Sequence, residues 1–158
     1  VIYSLIIVLL LVVFYQDLRH RAVWWFLFPS LFLVNVSYFW ETLNWLDVAI
    51  SLLFIAFLMI SLTLYLSLKM KKLVLVWNGF FSWGDLLFIV AITPLFTWIN
   101  FIYFFTFGTV LVLLIHLIAS KFLKDQTVPY AGYLSLATIF YILFTLPINQ
   151  LFAQLSGN

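Results

Sequence analysis

Seven basic residues punctuate an otherwise apolar chain, and they fall in three clusters: Arg19 and Arg21, then Lys69, Lys71 and Lys72, then Lys121 and Lys124. Around them run six apolar segments, at about residues 1–15, 23–40, 46–68, 85–98, 100–119 and 131–152. Each cluster follows an odd-numbered segment, whereas the loops after the second and fourth segments and the C-terminal tail contain no Lys or Arg. Cations concentrate in the cytoplasmic loops of membrane proteins. The alternation therefore predicts six transmembrane helices with both termini extracytoplasmic and the basic loops in the cytoplasm.

Composition points the same way. Apolar residues make up 67% of the 158 residues and charged ones 8%, against roughly 45–50% and 25% in soluble domains. A domain of roughly 150 residues still exposes about a third of its surface, so most of this surface must face lipid. The expected fold class is an all-α integral membrane protein, with one membrane-embedded domain over residues 1–158. The first and fourth segments are short for a span of about 20 residues, and Pro94 marks a turn or kink near the surface between segments four and five. Trp24, Trp25, Trp40, Trp45, Trp77 and Trp98 sit near the ends of segments, where interfacial aromatic belts form.

Several functions are excluded or disfavoured. Without cysteine there is no disulfide, thiolate metal site or cysteine nucleophile, and two histidines make a zinc site improbable. The net charge of +2 comes as short juxtamembrane clusters rather than a basic stripe, so nucleic acid is not an expected partner. The chain opens at Val1 inside an apolar run, and Tyr15-Gln16-Asp17-Leu18-Arg19 offers no small-residue cleavage pattern, so a signal peptide is not expected.

Five carboxylates remain, and Asp17, Asp85 and Asp125 fall on the cytoplasmic side of this topology. Asp17 ends the first helix and Asp85 begins the fourth, within a turn or so of one interface. Each has a structural role open to it. Ser82 and Asp85 have capping-box spacing, as do Asn44 and Asp47 on the opposite face, and Asp17 can pair with Arg19 or Arg21 in wet headgroups. Asp125 reads as a solvated loop acid, His20 as a headgroup contact, and His116 as a neutral interhelical hydrogen bond. Brought together, Asp17 and Asp85 would share one proton, because like charges at close range separate their ionisations. Such a pair activates water against a peptide carbonyl without a metal.

The run Tyr15-Gln16-Asp17-Leu18-Arg19-His20-Arg21-Ala22-Val23 resembles the first aspartate motif of type IV prepilin peptidases and archaeal preflagellin peptidases. Ser82-Trp83-Gly84-Asp85-Leu86-Leu87 is similar to their GxGD motif, which opens helix four. Thr127-Val128-Pro129-Tyr130-Ala131-Gly132-Tyr133-Leu134 is similar to the Pro-containing segment that opens helix six. The three occur in order over nearly the whole chain. The resemblance implies a plasma-membrane (inner-membrane) aspartic endopeptidase with its active site facing the cytoplasm, which removes the basic leader of prepilin-like substrates. Asp17 and Asp85 would be catalytic, with Gly84, Ser82, Arg19 and Pro129 supporting the site or substrate approach.

Ser82 replaces the usual first Gly of GxGD, and Trp24 stands where an Ile-Pro pair normally supplies Pro. Ser82 can still cap helix four, and Gly84 without a Cβ lets a substrate backbone approach Asp85. The cysteine-rich methyltransferase region of the larger bacterial enzymes has no counterpart, so peptidase activity alone is implied, with no cofactor and no S-adenosylmethionine. The stretch Leu73-Val74-Leu75-Val76-Trp77 reads either as an interfacial cover for the site or as a connector. Three alternatives stay open: an inactive homologue, a non-enzymatic transporter or assembly scaffold, and a presenilin-type intramembrane peptidase. The last would carry its second aspartate in a Tyr-Asp context deep in a helix, where this chain has Tyr-Gln-Asp at the interface.

Overall fold

A computed structural model describes residues 2–73, 75, 82–119 and 128–156, with backbone alone at 119 and 146–156. Among these residues every regular element is helical: α1 (Ile2–His20), α2 (Leu27–Tyr38), α3 (Trp45–Met70), α4 (Trp83–Ile92), a 3-10 turn (Thr93–Leu95), α5 (Trp98–Ala119) and α6 (Tyr130–Ser156). Lys121, Lys124, Asp125, Thr127, Trp77, Val74 and Val76 lie outside the described residues. Three helices are long and apolar enough to cross a membrane, namely α1, α3 and α5. Large side chains such as Phe57, Phe107 and Phe144 are about two-thirds exposed, which water would penalise and hydrocarbon does not.

The expected segments and the helices differ where local chemistry intervenes. Helix α1 runs past its apolar stretch to His20, with Arg19 and His20 in its last turn, where positive charge suits the C-terminal end of the helix dipole. Helix α2 is only 12 residues long, about 18 Å at 1.5 Å per residue. Its expected start at Val23 is displaced because Trp24 and Trp25 form turns, their carbonyls accepting from Leu27 and Phe28. The kink at Pro94 appears as the 3-10 turn, with Pro94, Thr93 and Phe96 buried in the helix packing. The Phe96 ring stacks on Phe104 at 4.7 Å and meets Tyr141 at 4.5 Å. This aromatic packing draws the connection inward.

Helix α1 packs along α6, α2 bridges α1 and α4, and α4 also touches α6, while α3 lies outside against α5 and the 3-10 turn. The inward stripe of α1 is Ile6, Leu10, Val13 and Asp17, a 4-3-4 spacing that keeps one helical face. That stripe delivers Asp17 to the end of the bundle where α4 and α6 begin. Close approach of α5 and α6 depends on Gly108, where an added Cβ would lie 2.8 Å from Leu134 Cδ1. Trp24, Trp25, Trp40, Trp45, Trp83 and Trp98 are all exposed at helix ends.

A buried amide ties two short helices together. Asn35 is fully buried, and its Nδ2 donates to the Ala91 carbonyl at 3.0 Å, joining α2 to α4. Replacing Asn35 by Ala removes this bond and leaves a cavity, a loss of about 2 kcal/mol. Unfolding of the Asn35→Ala protein in detergent should show a lower midpoint, and an unchanged midpoint would mean that the α2–α4 contact does not depend on this amide.

Candidate active site

The first N–H groups of a helix have no partner within their own helix. At the start of α6 two of them point at carboxylates from other helices. The Gly132 N–H donates to Asp17 Oδ2 at 2.6 Å, and the Ala131 N–H donates to Asp85 Oδ1 at 3.1 Å. Consecutive peptide units of α6 thus hold one carboxylate from α1 and one from α4. The two carboxyls lie within coulombic reach of each other. Asp17 is buried and Asp85 half-buried, so their mutual field is screened less than it would be in water.

Each aspartate is set by its own helix as well. Ser82 is the N-cap of α4, and its Oγ accepts from the Gly84 N–H at 3.1 Å. The Asp85 carboxylate in turn accepts from the Ser82 N–H. The capping arrangement expected from Ser82-x-x-Asp85 is therefore formed, with Gly84 rather than Asp85 giving its N–H to the serine. Capping does not consume the aspartate, because the same carboxylate also reaches Ala131. At the opposite end of the bundle, Asn44 caps α3 through the Leu46 N–H at 3.0 Å.

Gly132 is a packing requirement of this site. A Cβ there would stand 3.1 Å from Asp17 Oδ2 and 3.2 Å from Asp17 Cβ, so an added methyl group makes the Asp17 side chain give by a few tenths of an ångström. Gly84 differs, since an added Cβ would meet Ser82 Oγ at 3.4 Å and Phe28 Cζ at 3.8 Å, which is ordinary contact. Packing alone does not demand glycine at 84. Pro129 is buried just ahead of α6, and its carbonyl accepts from the Tyr133 N–H at 3.1 Å, closing the first turn. The Tyr130 hydroxyl shares a 2.8 Å hydrogen bond with Thr109 Oγ1, which fastens the start of α6 to α5.

The basic residues near Asp17 divide. Arg19 is exposed, hydrogen-bonds the Tyr15 hydroxyl and lies over the Tyr15 ring at 5.6 Å from its centroid. One helical turn is enough to make this i, i+4 pair, and it leaves Arg19 out of the carboxylate cluster. Arg21 lies within coulombic reach of Asp17 instead. His20 is exposed. His116 is half-buried, and its Nδ1 has no hydrogen-bond partner among the described residues, so the expected interhelical bond is not made through that atom. Its helical neighbours Val112 and Ile115 are apolar and pack into the core. Among the described residues no group of three or more metal-ligating side chains occurs.

Reasoning from sequence singled out Pro129 but not Ala131 and Gly132, whose amides make the contacts. A glycine three residues after a helix-opening proline was the available signal. Compared with protein-family models, with curated proteins and with solved structures, the chain finds no match.

Since Gly132 is held against Asp17, a Gly132→Ala protein should lose about 1–3 kcal/mol of stability through overpacking. Gly84→Ala should change stability by less than about 1 kcal/mol, or raise it, because alanine has the higher helix propensity. Paired unfolding curves in detergent check this, and equal effects at 84 and 132 would contradict the close contact at Asp17.

Proposed function

We propose that this chain is a membrane aspartic endopeptidase that removes the cytoplasmic leader of prepilin-like precursors through Asp17 and Asp85. The observation that carries the reading is the convergence of these two carboxylates, from α1 and α4, on adjacent amides of α6. A helix N-cap needs one acceptor from its own flank. Here Asp85 already serves α4 and Asp17 comes from a helix far away in sequence, which a simple cap does not require.

In this reading the pair holds one proton. The charged member takes a proton from water, and the hydroxide so formed adds to the peptide carbonyl carbon while the protonated member hydrogen-bonds the carbonyl oxygen. Collapse of the tetrahedral intermediate breaks the C–N bond, and the nitrogen leaves with a proton returned by the dyad. The products are a carboxylic acid on the leader and an amine on the mature chain, and no cofactor enters. The substrate's apolar helix lies in lipid beside the bundle, with its leader crossing the cytoplasmic interface to the site. Six spans with both termini outside complete the proposal, since that topology puts the ends of α1, α4 and α6 that meet at the dyad on the basic, cytoplasmic side.

The same contacts also favour a structural reading, in which the two carboxylates only satisfy the exposed amides of α6 in a scaffold or transporter. Function separates the two. Asp17→Asn and Asp85→Asn keep a hydrogen-bond acceptor for each amide but remove the acid-base chemistry, so processing of a co-expressed prepilin-like substrate should fall by at least about a thousandfold with membrane insertion intact. Unchanged processing in either variant removes the dyad. Asp125→Asn, in the basic stretch of sequence between α5 and α6, should process at the wild-type rate, and its loss of activity would misplace the chemistry.

A further inference from the structure

Helix α1 presents two distinct faces. Ile6, Leu10, Val13 and Asp17 turn inward, whereas Val8, Leu11, Val12 and Tyr15 follow the 3-1-3 spacing of the opposite face and floor an open groove of about 690 Å³. The other wall is the turn that leads towards α2 and ends at Trp24. That turn is fastened to α1, because the Trp24 N–H donates to Gln16 Oε1 at 3.1 Å, and the groove is thereby formed before anything enters it.

From Val8 to His20 the groove follows α1 for about 18 Å at 1.5 Å per residue, close to the roughly 15 Å depth of one leaflet's hydrocarbon. Its chemistry changes along that length. The deep part is apolar, whereas beside the last turn of α1 the walls are His20 and Trp24, whose rings carry N–H donors. Arg19, one turn beyond Tyr15 on the same face, is held by its hydrogen bond to the Tyr15 hydroxyl and lies over the Tyr15 ring. No carboxylate is among the walls that the described residues form, and Asp17 faces α6.

We propose that this groove binds an anionic phospholipid: one acyl chain lies along Val8, Leu11 and Val12, and the phosphate accepts hydrogen bonds from Arg19 and from the ring N–H groups of His20 and Trp24. Charge decides between this occupant and a transmembrane helix from a second copy or another protein. Such a helix brings its own Lys and Arg to the face where basic residues gather and meets like charge at Arg19, whereas a phosphodiester meets a guanidinium of opposite sign. A zwitterionic lipid carries a cation beside its phosphate and gains less from Arg19. Inorganic phosphate has no use for the apolar floor. The inference is independent of the peptidase reading, since it uses neither aspartate.

The test is native mass spectrometry of the full chain in detergent with phosphatidylglycerol, with phosphatidylcholine of the same acyl chains, and with inorganic phosphate. Wild type should retain phosphatidylglycerol at least about fivefold more than phosphatidylcholine, and inorganic phosphate should not displace it. Arg19→Gln should lower that retention about fivefold, the share of one basic residue at an anionic surface. Leu11→Trp fills the floor with every charge in place and should lower it at least as much, while Tyr15→Phe, which frees Arg19, should lower it by a smaller factor. Lys69 supplies the control, since it lies over the Tyr65 ring at 5.9 Å in the last turn of α3, away from this groove, and Lys69→Gln should bind as wild type does. Equal losses for Arg19→Gln and Lys69→Gln overturn the proposal in favour of diffuse attraction to a basic surface. Undiminished binding by Leu11→Trp overturns it too, as do displacement by inorganic phosphate and equal retention of the two lipids. A lipid-free mass of two chains that Leu11→Trp abolishes gives the groove to a second copy instead. Should Leu11→Trp fail to fold, Leu11→Phe carries the same comparison.

Discussion

Two unpaired amides at the start of α6 organise one end of this molecule. A helix that begins inside a bundle cannot leave its first N–H groups bare, because lipid and protein offer no water to satisfy them. Here the acceptors come from Asp17 and Asp85. Meeting that need brings α1, α4 and α6 to one point, and it does so with side chains that carry chemistry. The remaining features of this end follow: Gly132 is kept small against Asp17, Ser82 caps α4 so that Asp85 is aimed, and the Tyr130–Thr109 bond fastens the first turn of α6 to α5.

The arrangement is electrostatically demanding. Carboxylates placed together out of water repel each other, and each loses hydration. The positive end of the α6 dipole and its aligned N–H groups offset part of that cost, and the Arg21 guanidinium contributes on the Asp17 side. On the proposed peptidase reading, the pair exchanges a proton during the reaction. The two glycines near the pair differ: a Cβ at Gly132 would crowd the Asp17 carboxyl, whereas one at Gly84 would make ordinary contacts with Ser82 and Phe28.

How much of this was legible depended on which physical signal a residue leaves. Helix number and the all-helical class followed from apolar runs broken by charges, a signal that needs no knowledge of packing. Asp17 and Asp85 stood out because carboxylates are so few in the chain, and the Ser82 cap because its spacing is local. Which face of each helix turns inward was not readable. In α5, Val112 is buried while Leu113 and Leu114 are exposed, yet all three are equally apolar, because lipid and core accept the same side chains. For the same reason the buried Asn35, Ser51, Thr93, Ser135 and Thr138 gave no pattern beforehand. Arg19 lies over Tyr15 while Arg21 lies within coulombic reach of Asp17, a division that depends on side-chain direction rather than on residue type, and the role of Ala131 and Gly132 is carried by main-chain atoms, which no side-chain motif displays.

The central claim is that the carboxyl groups of residues 17 and 85 meet in the folded membrane protein, and the absence of native cysteine allows it to be measured directly. The Asp17→Cys/Asp85→Cys double variant, treated in membranes with a short bifunctional thiol reagent, should form an intramolecular cross-link that shifts its mobility on a denaturing gel. An Asp17→Cys/Asp47→Cys control, with its second site at the start of α3 on the other face, should not. Absence of the link in the first protein, or equal linking in both, would contradict the account.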